Sequence, residues 1–282
     1  MNKNKPGSIA AEILRPMSEI EKEISEVKRV SAMPLRERVK YYQEKYGEKT
    51  ASKTVFCAPL GCYISKPLVK DNSKLKGIWI FDLLAVETCM NCRDCKGFCY
   101  AIKSQRQYIA VLLKRSIMTF LAKYFLEWLE NCIVNQIKRS RSIRFIRIHS
   151  AGDFFSQAYI NTWSRIAKQF PKIKLYYYTK IENILDVTAL NMNANVNMVS
   201  SILPDGEINF GKEEKIHALV AKYAARGIEI HVCPYHDPAT GRKETYINKA
   251  GRKCTRTVFP EIHCGKDCTF CMDHKYVVFF IH

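Results

Sequence analysis

Four cysteines, Cys89, Cys92, Cys95 and Cys99, fall within eleven residues in the segment CMNCRDCKGFCYA (89–101). The chain holds 12 cysteines in all. Its N-terminal segment MNKNKPGSIAAEILRPMSEIEKEISEVKRV is charged throughout and lacks the apolar stretch and small-residue cleavage site of a signal peptide, so a cytoplasmic protein is expected. In a reducing compartment thiols stay open rather than pair, which leaves metal or cluster ligation as the leading chemistry. The spacing C-x2-C-x2-C-x3-C matches the run that carries iron–sulfur clusters in bacterial ferredoxins. A short loop of this kind can aim three thiolates at one face of a 4Fe–4S cluster and leave one iron open. A zinc knuckle is the alternative, since C-x2-C also suits tetrahedral zinc, but the spacing departs from the paired layout of zinc ribbons and favours iron–sulfur.

A second group lies in HCGKDCTFCMDH (263–274), where Cys264, Cys268 and Cys271 are joined by Cys233 and Cys254 upstream. Three close cysteines and one distant one complete a four-ligand site, either a second cluster or, with His263 and His274 alongside, zinc. Cys132 sits on the apolar face of a helical run and reads as a core thiol. Cys57 and Cys62 are open between capping the first site and no ligand role.

The elements that must position these residues form an α/β pattern. The first 50 residues read as helices, with a second one starting at Pro34. Residues 51–76 read as loop. From residue 77 onward short β-branched or aromatic runs alternate with amphipathic ones: strands at 77–86, 143–149, 174–179, 196–203, 228–233 and 276–282, and one long helix whose apolar face runs from Ile109 to Cys132. Six strands separated by helices predict a parallel sheet, curled into a partial (β/α)6 barrel. The expected division is a helical extension and loop over 1–76, then an α/β domain over 77–282 with a Cys-rich segment at 233–274. The most apolar long stretch (116–134) carries Lys123, Glu127 and Glu130, so no membrane span is expected.

In such a sheet chemistry gathers at the carboxyl ends of the strands. The cysteine loop follows the first strand. After the second comes HSAGDF with His149, Ser150, Gly152 and Asp153; the third ends in Thr179 and Lys180, the fourth carries Ser200 and Ser201, the fifth His231 and Cys233, and the sixth His282. His149, Asp153 and Lys180 are the candidate catalytic groups. Ser150, Gly152, Asp153, Thr179, Ser200 and Ser201 are the candidate ligand-binding ones. Asp153 is equally suited to accept from a ligand amine or to cap the helix starting near Ser156, and His149 to a site or to the core.

Lys and Arg number 45 against 27 Asp and Glu, a net charge of +18. The run KRSRSIRFIR (138–147), with Lys138, Arg139, Arg141, Arg144 and Arg147, is the densest part. Such a field attracts polyanions by releasing their counterions, and nucleic acid or a phosphorylated ligand is a natural partner; a solvated basic face without a specific partner is the alternative.

The segments TCMNCRDCKGFCYA, FIRIHSAGDFFSQAYINTWSRIAKQFP, YYYTK, VNMVSSILPDG and CGKDCTFC, with a terminal VVFFIH, together resemble the phage gene product 88 family over residues 77–282. The order of parts is also similar to radical S-adenosylmethionine enzymes, which use a partial (β/α)6 barrel. That likeness implies a 4Fe–4S cluster on Cys89, Cys95 and Cys99 with Cys92 to spare. It also implies methionine-amine binding near Gly152 and Asp153, an auxiliary cluster on the C-terminal cysteines, and a reductant partner. In this chain the C-x3-C-x2-C spacing usual for such enzymes stands at Cys264, Cys268 and Cys271 instead of in the first loop. The expected function is an iron–sulfur enzyme of this type acting on a nucleic acid or nucleotide. The alternatives are a non-catalytic nucleic-acid-binding protein stapled by zinc or iron–sulfur sites, and an electron-transfer module.

Overall fold

A computed structural model of the chain describes residues 17–48, 53–70, 77–90, 92, 99–181, 184–200, 213–233, 242–247, 253–258 and 277–278. The N-terminal arm forms helices α1 (Met17–Ala32) and α2 (Leu35–Tyr46), the second beginning directly after Pro34. The arm is packed into the fold: Val30 joins Leu84, Leu112 and Leu113 in one buried cluster. Arg38 locks the joint, donating to the Glu87 carboxylate at 2.7 Å and to the carbonyls of Met33 and Ser31 at 2.9 and 3.1 Å.

The segment read as loop contains a hairpin. Strands β1 (Thr54–Cys57) and β2 (Cys62–Ser65) pair antiparallel across a single 3-10 turn, with Cys57 opposite Cys62. Both thiols are buried. Burial pushes the Cys57 thiol up to about 12 and raises Cys62 as well, and both pack in the main hydrophobic core.

Strand β3 (Val69–Lys70) then pairs antiparallel with β4 (Ile78–Phe81), the first strand of the main sheet. Helices α3 (Tyr100–Gln107), α4 (Ile109–Tyr124) and α5 (Leu126–Arg139) connect β4 to β5 (Phe145–Ile148). The helix expected to run unbroken from Ile109 is thus interrupted at Phe125, which adopts φ −140° and ψ 48°. The buried residues of α4 include Ile117, Met118, Leu121 and Ala122, and those of α5 are Leu129, Ile133, Val134 and Ile137, so both helices turn an apolar face to the same core. The bonds from Phe125 N to Leu121 O and from Leu129 N to Phe125 O carry the backbone across the bend.

Helix α6 (Gln157–Gln169), strand β6 (Lys174–Thr179), helix α7 (Thr188–Asn191) and strand β7 (Val196–Ser200) follow. The sheet order is β3-β4-β5-β6-β7, with β4 to β7 parallel and each beside its sequence neighbour. Phe81, Ile148, Tyr177 and Met198 lie in register and pack with Ile117, Leu121, Ile133, Trp163 and Leu190 of the helices. Ile78, Ile80 and Tyr176 form a separate cluster on the other face, with Phe145 and Tyr178 against it.

After α8 (Glu213–Ala224), the expected fifth and sixth strands yield β8 (His231–Val232) and β11 (Val277–Val278). They pair in parallel with each other, in a two-stranded sheet apart from the main one. Between them β9 (Arg242–Ile247) and β10 (Lys253–Val258) form an antiparallel hairpin that periodicity does not reveal. The described strands make a mixed α/β architecture with an open main sheet and close no barrel. Among the described residues no helix is long and apolar enough to cross a membrane.

Candidate functional site

Because β4 to β7 run parallel and in register, their carboxyl ends share one edge. Asp82 stands at the end of β4, His149 and Ser150 at the end of β5, Thr179 and Lys180 at the end of β6, and Ser200 at the end of β7. Strand ends of this kind leave backbone N–H groups without ladder partners, and two carboxylates satisfy them. Asp82 accepts from Ser150 N at 2.7 Å, from Ala151 N at 3.0 Å and from the Ser150 hydroxyl at 2.7 Å. Its other oxygen pairs with Arg115 Nη2 of α4 at 3.1 Å. Arg115 is itself held by Ala101 O at 3.1 Å and Ser104 Oγ at 2.9 Å, so Asp82 joins strand, loop and helix. The sequence reading missed it: with a strand drawn through residue 86, Asp82 falls mid-strand, whereas β4 stops at Phe81. The available signal was an acid straight after an aromatic and β-branched run.

His149 makes the turn toward Asp82 possible and bears strain for it, with a left-handed φ of 63°. Its ring is buried against Phe81, Phe154 and Tyr159, with Nε2 2.8 Å from the Tyr159 hydroxyl and no partner for Nδ1 among the described residues. Burial lowers its pKa to about 3 and keeps it neutral. Of its two readings, core residue is the one the geometry favours. Gly152 also has positive φ, 83°, and a Cβ there would sit 2.7 Å from Leu83 Cβ and 2.7 Å from Thr88 Oγ1. Only glycine lets the loops after β4 and β5 approach this closely.

Asp153 repeats the Asp82 device one strand further along. Its Oδ1 accepts from Phe154 N at 2.8 Å and Thr179 Oγ1 at 2.9 Å, and its Oδ2 from Lys180 N at 3.1 Å. It is not the cap of α6; Ser156 is, accepting from Tyr159 N at 3.3 Å. Thr179 is committed to the same lacing and also accepts from Ile181 N. Ser200 is buried and Lys180 half-buried, while Ser201 lies outside the described residues.

The cysteine loop leaves the same edge. Cys99 is the N-terminal cap residue of α3, its sulfur makes no capping bond, and it packs on Ala85, Ala101 and Ala151, the last in the loop after β5. The next residue, Tyr100, donates its hydroxyl proton to Ser150 O. Cys89 and Cys92 are half-buried, and Cys95, Cys264, Cys268 and Cys271 lie outside the described residues. Cys233 is buried at the end of β8. Among the described residues no three His, Cys, Asp or Glu side chains converge on a metal position.

The basic run divides. Lys138 and Arg139 end α5, and Arg141 and Arg144 follow before β5, all four exposed at the amino edge of the sheet. Arg147 is inside β5 and half-buried, so it does not belong to that surface.

A sequence profile of the Gene product 88 family matches residues 52–279. The chain belongs to the Gene product 88 family. The match includes the β1–β2 hairpin, ahead of residue 77 where the motifs alone set the boundary. The chain is similar to the Gene 88 protein of Mycobacterium phage L5, 26% identical over 185 residues covering 57% of this chain and 72% of the relative. It is also similar to the Gene 88 protein of Mycobacterium phage D29, 24% identical over 124 residues covering 39% and 50%. No solved structure matches.

Burial raises the Asp153 carboxyl from its ordinary 3.8 to about 6, opposed by its bonds from Lys180 N, Phe154 N and Thr179. The folded state therefore holds a proton that the unfolded chain has released. That contribution to stability is full below about pH 4 and is lost as pH rises through about 6. From pH 4 to 7, urea unfolding of the wild type is expected to lose about 2 kcal/mol relative to Asp153→Asn. A difference that stays constant across this window would contradict a buried, raised carboxyl.

Proposed function

We propose that the protein is an iron–sulfur enzyme whose Cys89–Cys99 loop holds a 4Fe–4S cluster over the carboxyl edge of the sheet, with S-adenosylmethionine as cosubstrate. The observation that supports it is the placement of Cys99: the loop springs from the end of β4 and returns against Ala151, beside the loop that Asp82 and Asp153 hold in place. The donor set fits. Thiolates suit iron–sulfur clusters and zinc above harder metals. A convergent donor group need not exist before metal arrives, because binding and local folding are coupled.

When bound, such a cluster supplies the electron that breaks the sulfonium carbon–sulfur bond of S-adenosylmethionine, with a reductant partner restoring it. This chain's own part is to hold and orient. Ser150 and Gly152 shape the floor, and Asp153, with Thr179 and Lys180, fixes the neighbouring strand end; Ser200 and Ser201 extend the edge. In this reading the sheet is the core of a partial (β/α)6 barrel, supported by the sequential order of β4 to β7. Cys233, Cys264, Cys268 and Cys271 hold a second cluster or zinc. Protein reconstituted anaerobically with iron and sulfide is expected to release 5′-deoxyadenosine from S-adenosylmethionine when dithionite is added, and Cys99→Ser to release no more than the metal-free control. No release from the fully loaded wild type would remove the cosubstrate from the account.

A separate observation favours a nucleic-acid partner held elsewhere. From residue 131 to 181 the one acidic residue is Asp153. Lys138, Arg139, Arg141 and Arg144 are joined at the amino edge by Lys168, Lys172 and Lys174, all exposed, with Lys174 N bonded to Arg144 O. This edge lies about 16 Å along β5 from the cysteine loop, at roughly 3.3 Å per residue. The basic surface would therefore retain a polyanion rather than line the candidate site. Binding to a short DNA duplex should weaken steeply with salt, and replacing Lys138, Arg139, Arg141 and Arg144 by Ser should flatten the logarithmic slope by about 3.6. An unchanged slope would place the contact somewhere else.

A further inference from the structure

Three arginines of the described structure have largely buried side chains or guanidinium atoms, and two of them are fully provided for. Arg38 has Glu87 and two carbonyls; Arg115 has Asp82, Ala101 O and Ser104 Oγ. Among the described residues Arg147 has neither a carboxylate nor a carbonyl as partner. It occupies the centre of the sheet, opposite Ile80 of β4 and Tyr176 of β6, on the face turned away from the helical core. Its guanidinium carbon lies 4.8 Å from the centroid of the Tyr178 ring, and Nη2 is 3.5 Å from the Tyr100 hydroxyl. Nε is buried with no partner. The nearby Asp82 carboxylate is already occupied by Ser150, Ala151 and Arg115.

A guanidinium whose Nε is sealed from water against aromatic rings loses part of its hydration, and aromatic faces return only some of it. An oxyanion makes up the rest, because the planar fork of arginine presents paired N–H donors to carboxylate or phosphate. We propose that Arg147 is the floor of an oxyanion-binding site on the sheet face turned away from the helical core, one that takes the phosphate or carboxylate of a small ligand. With Nε sealed, the half-exposed residue is open at its Nη end, toward Tyr100, which is itself 64% exposed. Tyr100 follows Cys99 directly, so an anion seated there would lie at the foot of the cysteine loop. The site is argued from this strand face alone and does not require a metal in that loop.

The test is thermal unfolding of the full chain as purified, at constant ionic strength in sodium chloride, with and without added phosphate or acetate, for wild type, Arg147→Met, Arg147→Lys and the surface control Lys138→Ser. Without added anion, Arg147→Met should unfold at or above the wild-type temperature, because an apolar side chain of similar length removes an uncompensated charge. Phosphate or acetate at tenfold excess over its Kd should raise the wild type and Lys138→Ser by about 3 °C, Arg147→Lys by less, and Arg147→Met not at all. The more effective anion identifies the ligand group as phosphate or carboxylate. Equal anion responses in wild type and Arg147→Met, or no response in the wild type, would overturn the proposal.

Discussion

The carboxylate of Asp82 is the constraint on which the candidate site depends. It sits where β4 ends, and it gathers two backbone N–H groups and a hydroxyl from the loop after β5 together with the guanidinium of Arg115 from α4. Its side chain is 16% exposed and that of Arg115 8%, so the pair is shielded enough that loss of either partner would strand a charge. Everything positioned relative to the strand ends follows from it: the left-handed turn at His149, the close approach at Gly152, and the seat of Cys99 against Ala151.

Asp153 extends the same logic from β5 to β6. The two acids lace three parallel strands together at the one edge where the ladder no longer does so, and polar residues accumulate there for a structural reason as well as a chemical one. Thr179 and the backbone N–H of Lys180 are spent on this lacing. What the edge still presents is the cysteine loop, the exposed ring of Tyr100, and below it Arg147, whose Nε has no hydrogen-bond partner among the described residues.

Much of this was legible in the residues. Alternation of apolar runs located β4 to β7, because strands buried on one or both faces carry an uninterrupted signal; the polar groups after them were located with the strands. The Cys89–Cys99 spacing was conspicuous for the same reason. Asp82 was hidden by a run, GIWIFDLLAV, that stays apolar on both sides of the strand end, so hydropathy had nothing to mark the turn. Phe125 breaks the helix with neither Pro nor Gly, so no residue type marks the bend. His149 and Asp153 could be placed at strand ends, but whether a polar group there meets a ligand or a neighbouring loop is a three-dimensional matter. Arg147 was grouped with its basic neighbours because periodicity within a four-residue strand is too short to separate an inward arginine from outward ones.

The two edges of the sheet are chemically unlike: thiols and laced carboxylates at one, exposed cations at the other. In the proposed function the carboxyl edge takes the cofactor chemistry and the amino edge the long-range attraction of a polyanion. The most direct measurement is iron and acid-labile sulfide per chain after anaerobic purification, in the wild type and in a variant with Cys89, Cys92, Cys95 and Cys99 all changed to Ser. The account predicts iron and sulfide together in the wild type and loss of a full cluster's complement in the variant. A wild type that carries only zinc or no metal, or a variant that retains all of its iron, would contradict it.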